Sequence, residues 1–164
     1  MEKLQKKLKK QGGFTLVEML IVVAIIAILI AVSIPMVSGA LDRAKQATDA
    51  ANVRAGKAQA SITKLDPEYK IDGAEVDWGD DTNPTVYAYD ADKGMIVKTA
   101  SIGSINPYGK VDPDDKQIIY LAIYKDVVYY KWGKTEKAET FTPGSDGSAA
   151  TGWSTNPAGD TTTP

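Results

Sequence analysis

Residues 14–37 form one apolar stretch, FTLVEMLIVVAIIAILIAVSIPMV, which holds a single charged residue, Glu18, and restricts the fold more than any other feature of the chain. Its 24 residues would make a helix about 36 Å long, enough to cross a bilayer core of about 30 Å. A carboxylate at the centre of such a span costs about 2.5 to 3.5 kcal/mol, and less near an end, so Glu18 is a functional-site candidate. Lys3, Lys6, Lys7, Lys9 and Lys10 precede the stretch, against Glu2 alone. That basic flank predicts a cytoplasmic N-terminus with the rest of the chain across the membrane, although Arg43 and Lys45 add positive charge soon after the span.

Segment order separates three readings. In an ordinary secretory signal the apolar core precedes its cleavage point, and Ser38-Gly39-Ala40 would supply small residues for a cut before Leu41. The apolar region is too long for that, and the Gly12-Gly13 pair would have no purpose. An uncleaved anchor explains the lysines and the span but gives Glu18 no role. The third reading follows from Gly13, Phe14, Thr15, Leu16 and Glu18 behind a lysine-rich leader, an order that closely resembles the type III leader of type IV pilins and pseudopilins.

The resemblance covers roughly residues 1–45. It implies that a prepilin peptidase cuts between Gly13 and Phe14, that the same enzyme N-methylates Phe14, that Glu18 serves subunit assembly, and that Pro35 kinks the helix. The implied partners are identical or related pilin subunits, the peptidase, the assembly machinery in the membrane, and the lipid bilayer before assembly. The implied location is the membrane first, in a single pass, and an extracellular surface filament after processing. Within the class, a pseudopilin of a type II secretion or competence DNA-uptake machine is the alternative. A membrane-anchored surface binding protein that never polymerises is the alternative outside it.

Electrostatics gives Glu18 a task if the cut occurs. A new amine on Phe14 would sit where the helix dipole already presents positive charge. Glu18, four residues on, is expected on the same helical face, able to neutralise its own amine or a neighbour's and so to set the register between packed helices.

Composition narrows the remaining classes. The chain carries net charge −2, and without the leader's five lysines and one glutamate it is six units negative, which is not a nucleic-acid-binding surface. Cysteine is absent, excluding disulfides and thiolate metal sites. Histidine is absent too, which removes the usual general base and the commonest metal ligand. Neither catalysis nor a cofactor is expected.

Beyond the span, Ala40, Ala44, Ala47, Ala51, Ala55, Ala58, Ile62 and Leu65 recur at helical spacing and predict an apolar stripe that docks a sheet. Arg43, Lys45, Gln46, Asp49, Asn52, Arg54, Lys57 and Gln59 are expected on the solvent face, and Asp66-Pro67 is the stop signal. Residues 117–132 read as a hairpin around Lys125-Asp126, pairing Ile123 with Val128, Leu121 with Tyr130 and Ile119 with Trp132 on the helix-facing side. The other side, with Tyr120, Tyr124, Val127, Tyr129 and Lys131, is expected to be the polar one. A second hairpin joins 86–89 to 95–100 through the loop 90–94.

Asp77, Asp80, Asp81, Asp90, Asp92, Asp112, Asp114 and Asp115 are expected to shape and solvate turns, since the stretch from Asp90 lacks the glutamate that would complete an EF-hand. The composition of residues 142–164 predicts a disordered tail, with glycosylation or docking of Trp153 on the sheet as alternatives. The expected fold is α+β, a long N-terminal helix packed on a small antiparallel β-sheet. Its organisation is a leader (1–13), a membrane or filament-core helix (14–37), an amphipathic continuation (38–66), a sheet domain (67–141) and the tail (142–164).

Overall fold

The structure, a computed structural model, describes residues 14–109, 117–134 and 137–157. A 50-residue helix, α1 (Leu16–Leu65), is followed by antiparallel sheets, a pilin-like α+β arrangement. Two compact units divide the chain after Leu41, and α1 contributes to both. The helix stops where Pro67 forces Asp66 out of helical geometry, and the Asp66 carboxylate accepts the Glu68 N–H at 3.0 Å. It continues through Pro35, where Ser33 Oγ donates to the Leu29 carbonyl at 2.7 Å and Ser38 Oγ to the Pro35 carbonyl at 3.0 Å.

In the first unit every large apolar side chain from Phe14 to Leu41 is exposed, the least of them by 49%. Among the described residues α1 is the one helix long and apolar enough to cross a membrane.

The second unit is built on a four-stranded antiparallel sheet in the order β4-β3-β5-β6, with β3 (Val86–Asp90), β4 (Met95–Lys98), β5 (Ile118–Tyr124) and β6 (Val127–Gly133). A small ribbon of β1 (Lys70–Ile71) and β2 (Ala74–Glu75) links α1 to it. The β5–β6 hairpin has the register expected from sequence: Ile123 opposite Val128, Leu121 opposite Tyr130, Ile119 opposite Trp132. Its turn residues Lys125 and Asp126 both have positive φ, 48° and 62°, as a type I′ turn requires. Contacts from outside the hairpin hold this non-glycine pair: Asp81 Oδ1 accepts the Lys125 N–H at 2.8 Å, and Lys64 Nζ pairs with Asp126 at 2.6 Å.

The helix docks the sheet by a different face from the alanine stripe. Val53, Gly56, Ala60 and Thr63 are buried, whereas Ala44, Ala47, Ala51, Ala55 and Ala58 are exposed and Ile62 and Leu65 point outward. Asp49, Asn52, Lys57 and Gln59, expected in solvent, flank the buried face and are half-buried. Closeness of approach is the physical reason. A Cβ on Gly56 would stand 3.1 Å from Tyr89 Cγ, so the sheet's aromatic rings select the smallest residue rather than the most apolar line. Thr63 joins this face because its hydroxyl donates to the Ala60 carbonyl at 2.9 Å and enters the core satisfied.

The far side of the sheet also departs from expectation. Tyr120 and Tyr124 lie in a second apolar core, closed by Ile102 and Ile105, at and just after a 3₁₀ helix (Thr99–Ser104), and by Phe141, Ala150 and Trp153. Of the tail expected to be disordered, Ala149, Ala150 and Trp153 pack against the sheet, so the segment 142–157 is anchored on it; residues 158–164 lie outside the described residues. Trp153 docks as one alternative expected: its ring lies 5.1 Å from that of Phe141 and its N–H donates to the Thr140 carbonyl at 3.3 Å. Phe141, just before the segment, and Trp153 within it supply the large apolar contacts that its other residues lack.

Candidate functional site: the start of the long helix

Phe14 precedes α1, Thr15 is its N-cap, and Glu18 is the third residue of its first turn. The Thr15 N–H donates to Glu18 Oε2 at 2.8 Å and the Thr15 hydroxyl donates to the same oxygen at 2.7 Å. In return the Glu18 N–H donates to Thr15 Oγ1 at 3.2 Å. This is a reciprocal capping box, with a carboxylate set against the positive end of the helix dipole. The Thr15-Leu16-Val17-Glu18 pattern ahead of an apolar run is its sequence signal, which the reading centred on Phe14 passed over.

The geometry corrects that reading. Phe14 lies outside the helix, so the four-residue spacing does not place it on one helical face with Glu18; the carboxylate caps Thr15 instead. Only Oε2 takes part in the capping bonds, which leaves Oε1 to accept from another donor. Phe14 is 78% exposed, so an enzyme can reach the chain there. Gly12 and Gly13, and with them the leader side of the expected cut, lie outside the described residues. Pro35 sits mid-helix, remote in sequence from the cap.

The acidic loops serve local geometry. Buried Asp90 accepts the N–H groups of Asp92 (3.1 Å) and Lys93 (3.2 Å) and pairs with Lys93 Nζ at 3.0 Å. Asp80 Oδ1 accepts from the Thr82 hydroxyl at 2.5 Å and from the backbone N–H groups of Thr82 and Asn83, each at 2.8 Å, and these bonds to the ionised form, the hydroxyl's first, hold its carboxyl below the usual range. Among the described residues no three acidic side chains converge as a metal site; Asp112, Asp114 and Asp115 lie outside them.

Residues 8–34 match the family described as the prokaryotic N-terminal methylation motif. No curated protein matches the chain. No solved structure does either. The matched segment includes Gly13, Phe14, Thr15 and Glu18 and most of the exposed apolar stretch of α1.

Proposed function

We propose that this chain, which carries a type IV pilin/pseudopilin-type prepilin leader, is a structural subunit of a type IV pilus-like surface filament, anchored in the membrane by α1 and then assembled from it. One observation carries the proposal: the methylation motif covers the start of a helix whose large apolar side chains, as far as Leu41, are all exposed in the isolated chain. Burying such a surface is worth about 25 cal/mol per Å², so it needs lipid before assembly and neighbouring subunits afterwards. The role is structural rather than catalytic, and the partners are prepilin peptidase, the pilin assembly machinery and further subunits.

The cap fits this cycle. Glu18 Oε2 fixes where the helix begins, just past Phe14, and Oε1 can receive the amine that cleavage at Phe14 creates, on the same subunit or the next. Processing would thus change the charge beside the carboxylate without dismantling the helix start. Gly13→Val tests the first step by putting a β-branched side chain at the scissile position. Unprocessed precursor should accumulate in the membrane; normal cleavage in this variant would contradict the assignment of Gly13.

A pseudopilin of a secretion or DNA-uptake machine shares the leader and the helix. Two packed cores and an ordered segment at 142–157 favour the long-filament reading, because a substantial folded domain gives a filament its surface.

A further inference from the structure

The outer half of α1 holds the sheet by little apolar surface. Val53 is the one large apolar side chain that this half buries, and Gly56, Ala60 and Thr63 complete its buried face. Polar ties add to the hold. Gln59 Nε2 donates to Tyr69 Oη at 3.2 Å, Lys64 Nζ pairs with Asp126 at 2.6 Å, and Lys57 Nζ donates to the Thr155 carbonyl at 2.7 Å. The Lys57 tie differs in kind from the other two, because Thr155 belongs to the segment that Trp153 anchors in the core on the opposite face of the sheet. Four residues make the crossing. Trp153 is buried with Phe141 and Ala150 in that far core, and Ser154 then exchanges two backbone hydrogen bonds with Tyr130, both at 2.9 Å, on the side of β6 away from β5. Thr155 meets Lys57 on the near side, where the desolvated ammonium titrates below the usual lysine range. The Asn156 carbonyl accepts from Tyr130 Oη at 2.9 Å, and the Tyr130 ring belongs to the core that α1 joins.

We propose that residues 153–156 are a clip that passes round the β6 edge and fastens α1 to the sheet, so that helix docking on one face depends on the seating of Trp153 on the other. Such coupling is reciprocal: whatever unseats Trp153 loosens the helix, and whatever lifts the helix loosens Trp153. With the clip open, the stretch of α1 around Val53 and Gly56 lifts away while the strands stay paired. β5 is buried along its whole length and paired on both sides, so the sheet does not rely on the clip for its own integrity. Trp153 and Lys57 act on opposite faces, and without a clip their substitutions would be independent of one another. The clip works in the same way whether or not the chain polymerises.

The test uses the full chain in detergent micelles. Because the sequence has no cysteine, Val53→Cys supplies one thiol at a position only 1% exposed, and its rate of labelling by a thiol reagent reads how often the helix lifts. Lys57→Met in that background should speed labelling about tenfold, the worth of roughly one net hydrogen bond from a charged donor. Trp153→Leu should speed it as well, although it acts from the far face, and the two changes together should add little to the larger effect alone. Amide exchange at Leu121, in the middle of β5, should rise far less than the labelling does. Tyr130→Phe, which removes the phenol bond to Asn156, opens the clip by another route should the Trp153 variant not fold. Labelling unchanged by Lys57→Met, or by the folded far-face variant, would overturn the proposal, as would effects that simply multiply in the double variant. An equal rise in Leu121 exchange would overturn it too, since the helix would then leave only when the sheet melts.

Discussion

Glu18 combines two tasks that a change of one atom can separate. Glutamine retains an oxygen able to accept the Thr15 N–H, so Glu18→Gln should preserve the helix start while removing the charge. Glu18→Ala removes both, and Thr15→Ala removes the cap hydroxyl while leaving the charge, at about 1 kcal/mol of local helix stability. If the charge pairs with an amine in a filament core, both Glu18 variants should lose filament yield while remaining in the membrane, and Thr15→Ala should lose far less. Quantifying sheared filaments against the membrane pool gives the answer, and full assembly by Glu18→Gln would assign the residue to capping alone. Gly56 provides a second test at this scale. Its place under Tyr89 and Leu121 leaves no room for a branched side chain, so Gly56→Leu should destabilise the second unit by about 1 to 3 kcal/mol, whereas Ala58→Leu on the exposed stripe should change little in thermal unfolding.

At the level of elements, Trp153 decides how the segment 142–157 is understood. Its burial between Phe141 and the sheet predicts that Trp153→Ala costs about 3 to 5 kcal/mol in denaturant unfolding, while a disordered tail would make it silent. That segment also shows where the sequence stops being informative. The β5–β6 hairpin was legible to the residue because its period-two pattern and two-residue turn admit one register, and α1 was legible because nothing but a helix satisfies so long an apolar run. The docking face was not, because Gly56 and Thr63 earn their places by size and by a local hydrogen bond, properties that hydrophobic periodicity does not count. Nor was the second core, since Phe141 and Trp153 stand far apart in a stretch of residues that each favour solvent. At the candidate site, the positions of Phe14 and Glu18 were readable and their geometry was not: the Thr15 cap places Phe14 outside the helix.

For the molecule as a whole, the two units divide the labour, and each should be testable by itself. A fragment covering residues 42–164 retains both cores without any cysteine chemistry, and is expected to be a soluble, folded monomer by circular dichroism and proton NMR. Its stability should fail in alkali. Burial, reinforced by the nearby Glu139 charge, pushes the Tyr120 phenol up to about 12 from 10.0, and burial raises Tyr108 further still. A phenol whose pKa is raised by folding contributes stability that is complete below its unfolded value and is lost as pH rises through the folded one. Unfolding midpoints should accordingly drop between about pH 10 and 12, and less steeply in Tyr120→Phe, a difference that would vanish if the phenol were solvated. The central claim, that a prepilin leader delivers an exposed apolar helix into a filament, meets its most direct test in intact-mass and N-terminal mass spectrometry of the subunit sheared from the cell surface. The account predicts a chain beginning at N-methylated Phe14; a chain in that fraction beginning at Met1 or Leu41 would contradict it.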